Sequence, residues 1–321
     1  MARANLWLRT ASRVLVRFGA FHARTFAELE RNAARLDWAS FISDGRAAFR
    51  VTARKSRLFH TGAIAQRLAR AARAELVAPD AAAVVQLFIV RGVRDEWTVS
   101  ADSSGSHLHL RGYKQAVGKA PLRENLAAAM ILASGWDPAF PLADPFCGSG
   151  TIPIEAALIA ANVPPGLSRA FAFQRWPIYD KSGWDRLLSE AREKTRKLTA
   201  VVLGYDRDAG AVAAARANAE RAGVAEGVNF DEQAISHFHP PQSRGWVVTN
   251  PPYGVRVGER RALRDLYSRF GAVLRERCSG WRLAFLSAAP ELENALRLDL
   301  HEMLRTTNGG IRVRLMGADI P

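Results

Sequence analysis

DPFCGSGTIPIEAALIAA, residues 144–161, decides the fold. Its last eleven residues read as an apolar helix, and a short strand ends at Asp144, so the glycine-rich turn sits where a strand passes into a helix. Glycine there lets the backbone bend sharply and approach a ligand closely, and in open α/β sheets ligands lie beyond the carboxyl ends of the strands. A nucleotide-like cofactor is implied, although a glycine turn that merely starts a helix would read much the same.

Working outward, LRENLAAAMILASG upstream reads as a helix. Downstream, strand and helix alternate: VVLGYD, DAGAVAAARANAERAG, VNF, WVVTN, a charged helix from Glu259 to about Arg277, and WRLAFLS. This alternation predicts a doubly wound parallel sheet. In MLRTTNGGIRVRLM, Asn308 and Gly309 stand between two strand-like runs and predict a closing hairpin. Residues 164–185, PPGLSRAFAFQRWPIYDKSGWD, are aromatic and basic and too long for an ordinary connection in a compact α/β unit. They read as an insertion outside the regular structure and a candidate for function.

Up to about Arg111 the pattern is α+β. It includes a basic amphipathic helix in HTGAIAQRLARAARAEL (60–76) and a buried strand in VVQLFIV (84–90), a run far too short to cross a bilayer. RGYKQAVGKAP (111–121) reads as the join, giving two domains, 1–111 and 112–321. The opening residues 1–21 lack acidic side chains and have the composition of an Arg-rich transit peptide. However, Leu6 and Leu8, then Val14, Val16 and Phe18, alternate at period two around a polar turn, which assigns the stretch to strands of a folded domain. No internal repeat or low-complexity tract interrupts the chain.

The 45 basic residues outnumber the 31 acidic ones, leaving a formal charge of +14. Most of the excess is arginine, whose planar guanidinium grips phosphate bidentately and stacks on bases, so a polyanion is the natural partner. An arginine-biased genome would leave the same surplus. Two cysteines, Cys147 and Cys278, supply neither a disulfide framework nor a cysteine zinc site and fit a reducing, cytoplasmic setting. The pairs His107/His109 and His237/His239 lack further ligands nearby and read as strand or surface histidines, so no metal is expected. Cys147, a small residue in a tight turn, reads as packing rather than as a nucleophile.

GYDRD places Asp206 at the tip of the second strand, where a carboxylate can accept hydrogen bonds from both hydroxyls of a ribose. Asp208 fits a helix N-cap better. The deciding motif is NPPY, Asn250 to Tyr253, at the end of WVVTN. An exocyclic amino group delocalises its lone pair into the ring. The Asn250 side-chain oxygen and the Pro251 carbonyl can accept hydrogen bonds from its two protons and orient the nitrogen toward a methyl donor. Proline fixes this backbone and donates no competing N–H. Tyr253 offers a face on which a base can stack.

DPFCGSGT and TNPPYG, with GYDRDAGAV between them, resemble the motifs of class I amino-group methyltransferases. NPPY is shared by RNA guanine-N2 enzymes, DNA adenine or cytosine enzymes, and enzymes acting on a glutamine amide. The flanking stretches NLWLRTASRVLVRF, RKSRLFHTGAIAQRL, RGYKQAVGKAPLRENLAAAMI, PPGLSRAFAFQRW, NPPYGVRVG and NGGIRVRLM resemble THUMP-containing guanine-N2 methyltransferases, especially the bacterial type acting on 23S rRNA. The resemblance covers almost the whole chain. It implies an α/β Rossmann-like class I methyltransferase sheet preceded by an α+β THUMP-like RNA-binding domain, with S-adenosylmethionine as cofactor and RNA as partner.

The resemblance assigns Asp144, Pro145, Cys147, Gly148, Ser149, Gly150, Thr151, Asp206, Arg207 and Asn250 to the cofactor, and Asn250, Pro251, Pro252 and Tyr253 to catalysis. Lys55, Arg57, Arg111 and Lys114 would contact RNA. Arg67 and Arg70, with Arg73, form either a further RNA-binding face or a solvated helix surface. Two departures stand out. Such proteins carry a small ferredoxin-like segment before NLWLRTASR, where this sequence has four residues. In FDEQAISHF, either Gln233 or Asp231 would reach the adenine amino group in place of the usual acidic residue. The alternatives to a 23S rRNA substrate are transfer RNA, a non-catalytic RNA-binding or ribosome-assembly role, and a DNA or protein-glutamine acceptor.

Overall fold

The computed structural model describes residues 1–79, 85–115, 122–253 and 260–321. Residues 116–121 of the expected join, Gly254–Gly258 after NPPY, Glu259 at the expected helix start and Val84 of the apolar run lie outside the described residues. The chain forms two compact units, Met1–Leu108 with Pro165–Ala191, and His109–Pro164 with Arg192–Pro321. The single cut expected at Arg111 therefore misses one feature: the insertion between the two halves of the second unit belongs to the first.

The first unit is α+β. Helix α1 (Ala2–Trp7) leads into strand β1 (Leu15–His22), followed by α2 (Phe26–Ala33), β2 (Arg46–Arg54), α3 (Thr61–Ala71), β3 (Glu75–Val77), β4 (Gln86–Val93) and β5 (Glu96–Asp102). The sheet order is β1-β5-β4-β2-β3, antiparallel around β5 and parallel from β4 to β3. α2 starts at a capping box, Thr25 accepting from Glu28 N–H while the Glu28 carboxylate returns to the Thr25 N–H. The expected helix over 60–76 stops at Ala71, and Glu75 and Leu76 turn back into the sheet.

Leu6 lies in a helix rather than a strand. Two apolar residues two apart are too short a sample of period, and Asn5 anchors the helix through hydrogen bonds with the Ser103 and Ser104 hydroxyls. His107 likewise lies outside any strand.

Residues 165–191 belong to the first unit, and up to Asp180 they are mostly turns and coil, as expected. They carry a 3-10 turn (Ala172–Arg175) and most of helix α6 (Lys181–Glu193). Phe171, Phe173, Trp176 and Trp184 pack with Phe41, Phe49, Phe88 and Trp97 in one core. Trp176 Nε1 donates to the buried Gln86 side chain at 2.6 Å, so the indole meets its polar demand inside the core. The stretch is irregular over most of the expected range, and its aromatic content completes a hydrophobic core.

The second unit has the predicted alternation: α4 (Glu124–Ala133), β6 (Leu142–Asp144), α5 (Thr151–Ala160), β7 (Val202–Asp206), α7 (Ala209–Ala222), β8 (Val228–Glu232), β9 (Trp246–Thr249), α8 (Arg260–Arg277), β10 (Arg282–Ser287), α9 (Pro290–Ala295), β11 (His301–Asn308) and β12 (Ile311–Asp319). The sheet order is β11-β12-β10-β9-β6-β7-β8, with β12 antiparallel to both β11 and β10 and the pairings from β10 to β8 parallel. Strand residues alternate between two cores. Leu142, Val202, Val248 and Leu286 face α4, α5 and α7, while Ala143, Leu203, Val247 and Phe285 face α8 and α9. A sheet covered on both faces explains why these strands are continuously apolar. β6 and β9 are neighbours and both end at the carboxyl edge, which brings the glycine turn and NPPY together.

Candidate functional site

The glycine turn is held from three sides. Asp144 is buried at the end of β6, and its Oδ1 accepts from Thr249 Oγ1 at 2.6 Å and from Phe146 N–H at 3.1 Å. Thr249 ends β9, so this bond ties the turn to the strand that leads into Asn250. Burial pushes the Asp144 carboxyl up to about 7, the two hydrogen bonds opposing it and the nearby Asp206 adding to it. Cys147 donates its N–H to Tyr205 O at 2.9 Å across to β7. Burial, reinforced by Asp144 and Asp206, pushes its thiol well above the ordinary range, which leaves a packed, unreactive sulfur.

Gly148 (φ 52°) and Gly150 (φ 81°) both occupy the left-handed region. A Cβ at Gly150 would meet Ala215 Cβ and Phe230 Cζ at 2.9 Å, whereas one at Gly148 would meet nothing within 4 Å. One glycine thus allows close packing of the helices, and the other faces open space. Pro145 and Thr151 are buried at the two ends of the turn.

Asp206, at the tip of β7, accepts from Gly148 N–H at 2.9 Å and from Asp208 N–H at 3.0 Å. Asp208 caps α7, as expected, accepting from Gly210 and Ala211 N–H. Arg207 is exposed beside them. Of the two alternatives in FDEQAISHF, Asp231 pairs with Arg216 at 3.5 Å on the outer strand. Gln233 lies just past β8, its N–H bonded to Asp206 O at 2.8 Å. Gln233, not Asp231, is therefore the one placed beside Asp206 with its side chain uncommitted among the described residues.

Asn250 directly follows β9, and its Oδ1 is buried without a hydrogen-bond partner among the described residues. An orphaned buried amide oxygen costs about 1–3 kcal/mol unless something arrives to satisfy it. Pro251 is buried and Pro252 exposed. Tyr253 is half-buried against both cores of the unit, and its hydroxyl accepts from Asn308 Nδ2 at 2.8 Å. Burial pushes the phenol up, and the Asn308 bond opposes that shift.

Two contributors escaped the sequence reading. Asn308 ends β11, in the hairpin that β12 carries past the carboxyl end of β10. Asn218, fully buried in α7, donates to Ser149 O at 2.9 Å and fixes the far side of the glycine turn. Its sequence signal was an uncharged polar residue among the alanines of a helix whose other polar residues are charged; Asn308 was visible only as a turn residue.

The expected RNA contacts divide. Lys55 and Arg57 are exposed, with no ion pair or side-chain hydrogen bond to another described residue. Arg67 and Arg70 both pair with Glu30, and Arg67 lies over the Phe26 ring, so this face of α3 is partly neutralised within the fold. Arg111 and Lys114 are corrected. Arg111 is turned inward against Glu155 at 3.4 Å, and Lys114 Nζ donates to Leu122 O at 2.6 Å. Tyr113 shares Glu155 with Arg111 through its hydroxyl at 3.1 Å. A fully buried Glu155 demands such partners, and they come from the join.

Among the described residues no group of three or more His, Cys, Asp or Glu is placed to hold a metal ion. No described helix is long and apolar enough to cross a membrane.

The family model described as "UPF0020: RMKL-like, methyltransferase domain" matches residues 111–316. The chain is 37% identical over 339 residues to "Ribosomal RNA large subunit methyltransferase K/L" of Allochromatium vinosum, covering 99% of this chain and 46% of that protein. It spans about half the length of the K/L relatives it matches. The crystal structure of SMU.472 in complex with SAH superposes with a TM-score of 0.86 at 31% identity, covering all of this chain and 87% of the other. That of a predicted N6-adenine-specific DNA methylase from Listeria monocytogenes superposes at 0.89 with 32% identity, covering all of this chain and 85% of the other.

Proposed function

The chain belongs to the UPF0020 family of RMKL-like methyltransferase domains, and from that premise we propose that it transfers the methyl group of S-adenosylmethionine to the exocyclic N2 amino group of a guanine in RNA, with 23S ribosomal RNA as the favoured substrate. The observation that carries this reading is the Oδ1 of Asn250, buried and without a partner among the described residues, one residue beyond the Thr249–Asp144 bond that links its loop to the glycine turn. The SAH complex of a 31% identical structure and the open space at Gly148 support the cofactor assignment.

The cofactor, when bound, supplies a methyl group activated on a sulfonium. Asp206 would take the ribose hydroxyls, exchanging its hold on Gly148 N–H, and Gln233 would offer its carbonyl to the adenine amino group. Asn250 Oδ1 and the Pro251 carbonyl accept hydrogen bonds from the two N–H groups of the target amine, which draws the nitrogen lone pair out of the ring and aims it. Tyr253 packs against a guanine extruded from its stack. Its hydroxyl is tied to Asn308, so the ring cannot turn freely. Thr249 and Asp144 keep the two loops in register, and the proton lost from nitrogen leaves to solvent. The first unit acts as a THUMP-like RNA-binding domain in this reading, and the reaction takes place in the cytoplasm.

The +14 charge supports a nucleic acid over a protein acceptor. The test is methyl acceptance from labelled S-adenosylmethionine by large ribosomal RNA, transfer RNA, duplex DNA and a glutamine-containing peptide. Label entering ribosomal RNA is expected. Label confined to transfer RNA would keep the chemistry and change the substrate, while label in DNA or peptide alone would overturn the RNA reading. Cofactor binding with no acceptor labelled would favour a non-catalytic RNA-binding role.

A further inference from the structure

Within the first unit one surface corner is at once basic, aromatic and rigid. Phe59 is 66% exposed, the most exposed large apolar side chain among the described residues, while its neighbour Leu58 is buried at 7%. The Phe59 and His60 rings lie against each other, centroids 4.2 Å apart and planes at 38°. Arg54, Lys55 and Arg57 are all exposed around them, and their side chains have no ion pair with a described residue. The carboxylate facing this corner, Asp95, is buried and already engaged, accepting from Arg57 N–H at 2.7 Å and pairing with Arg24 at 3.4 Å.

The corner is also preformed. Lys55, Arg94 and Asp95 hold left-handed backbone conformations that L-residues rarely adopt. Ser56 Oγ accepts from Asp95 N–H at 3.1 Å and donates to Arg54 O at 3.2 Å, locking the two turns together. A water-exposed phenylalanine gains nothing for the fold where it stands. Held rigidly among unpaired cations, it has the makeup of a single-stranded nucleic-acid platform, in which a base stacks on the ring while neighbouring cations take the flanking phosphates.

We propose that Phe59, backed by His60 and flanked by Lys55 and Arg57, is a stacking site for an unpaired nucleotide of the RNA substrate. The proposal rests on the RNA reading above and adds a contact away from the reacting atoms. It specifies single-stranded rather than duplex RNA, because only an unstacked base offers a face to the ring. It also separates this corner from the α3 face, where Glu30 already engages Arg67 and Arg70.

The test measures binding of the full chain, by fluorescence anisotropy, to an unstructured RNA oligonucleotide and to a blunt RNA duplex. Phe59→Ala leaves the core untouched, because the side chain is exposed. It weakens single-strand binding about tenfold and leaves duplex binding within about twofold of wild type. Phe59→Trp restores single-strand binding. Arg57→Ala weakens binding to both RNAs and lowers the salt slope for the single strand by about 0.7. With ribosomal RNA as methyl acceptor, Phe59→Ala raises KM and leaves kcat at saturating RNA unchanged. Wild-type single-strand affinity in Phe59→Ala, or an equal loss on both RNAs, overturns the stacking site while leaving the methylation reading intact. A wild-type protein that binds neither RNA overturns both.

Discussion

The two halves of the candidate site differ in how much of their hydrogen bonding is already satisfied. On the glycine-turn side, Asp144, Cys147, Gly148 and Ser149 all have partners, drawn from β9, β7 and α7. On the NPPY side, Asn250 keeps a buried oxygen with no partner among the described residues. The first half is a finished cradle, and the second keeps an acceptor open for a group that arrives from outside. A site that must bind one ligand in a fixed pose and draw a lone pair from another is expected to be built this way.

The comparison breaks most sharply at Asn250. Asn250→Ala should lower kcat by roughly a hundredfold or more, the cost of removing one preorganised hydrogen-bonding group, while cofactor affinity by calorimetry changes little. An equal loss of cofactor binding would erase the distinction between the two halves.

Asp144 provides a test on the finished side. Burial holds a proton on this carboxyl up to about pH 7, well above the ordinary carboxylate range. Its contribution to stability is therefore full below about pH 4 and lost as pH rises through about 7. The loss is on the order of a few kcal/mol. Asp144→Asn keeps an oxygen for Thr249 and cannot ionise, so urea unfolding at pH 5 and pH 8 should show a smaller decline for the variant. Parallel declines would contradict the assignment of that titration to Asp144.

Asp206→Ala removes the carboxylate that bridges β7 and the turn. It should weaken cofactor binding about tenfold with less effect on kcat at saturating cofactor, the inverse of the Asn250 pattern. The smallest effect is expected at Asn308. Asn308→Ala frees the Tyr253 hydroxyl and should raise the RNA KM a few-fold, consistent with loss of one hydrogen bond of about 1 kcal/mol. Tyr253→Phe should match it, and the double variant should lose no more than either single one.

The elements of the second unit were legible because strand and helix periodicity reports the local environment. Asp144, Asp206 and Asn250 could be placed from the strand ends alone. Partners far apart in sequence were not legible. Arg111 and Lys114 carry charges that suggest a surface, but Glu155 lies 44 residues from Arg111 and draws it inward. The aromatic residues of 164–185 suggested a functional insertion, and only Gln86 and the first unit's core supply the reason they are buried. Glu30 changed the reading of Arg67 and Arg70 in the same way. Periodicity gives the face a side chain occupies, and the residue opposite it is set by topology.

The most direct measurement is the identity of the methylated nucleoside. Undermodified large ribosomal RNA is incubated with the protein and S-adenosylmethionine, digested, and analysed by mass spectrometry. The account predicts N2-methylguanosine as the product, absent when Asn250→Ala replaces the wild type. N6-methyladenosine, or product formed equally well by the variant, would contradict it.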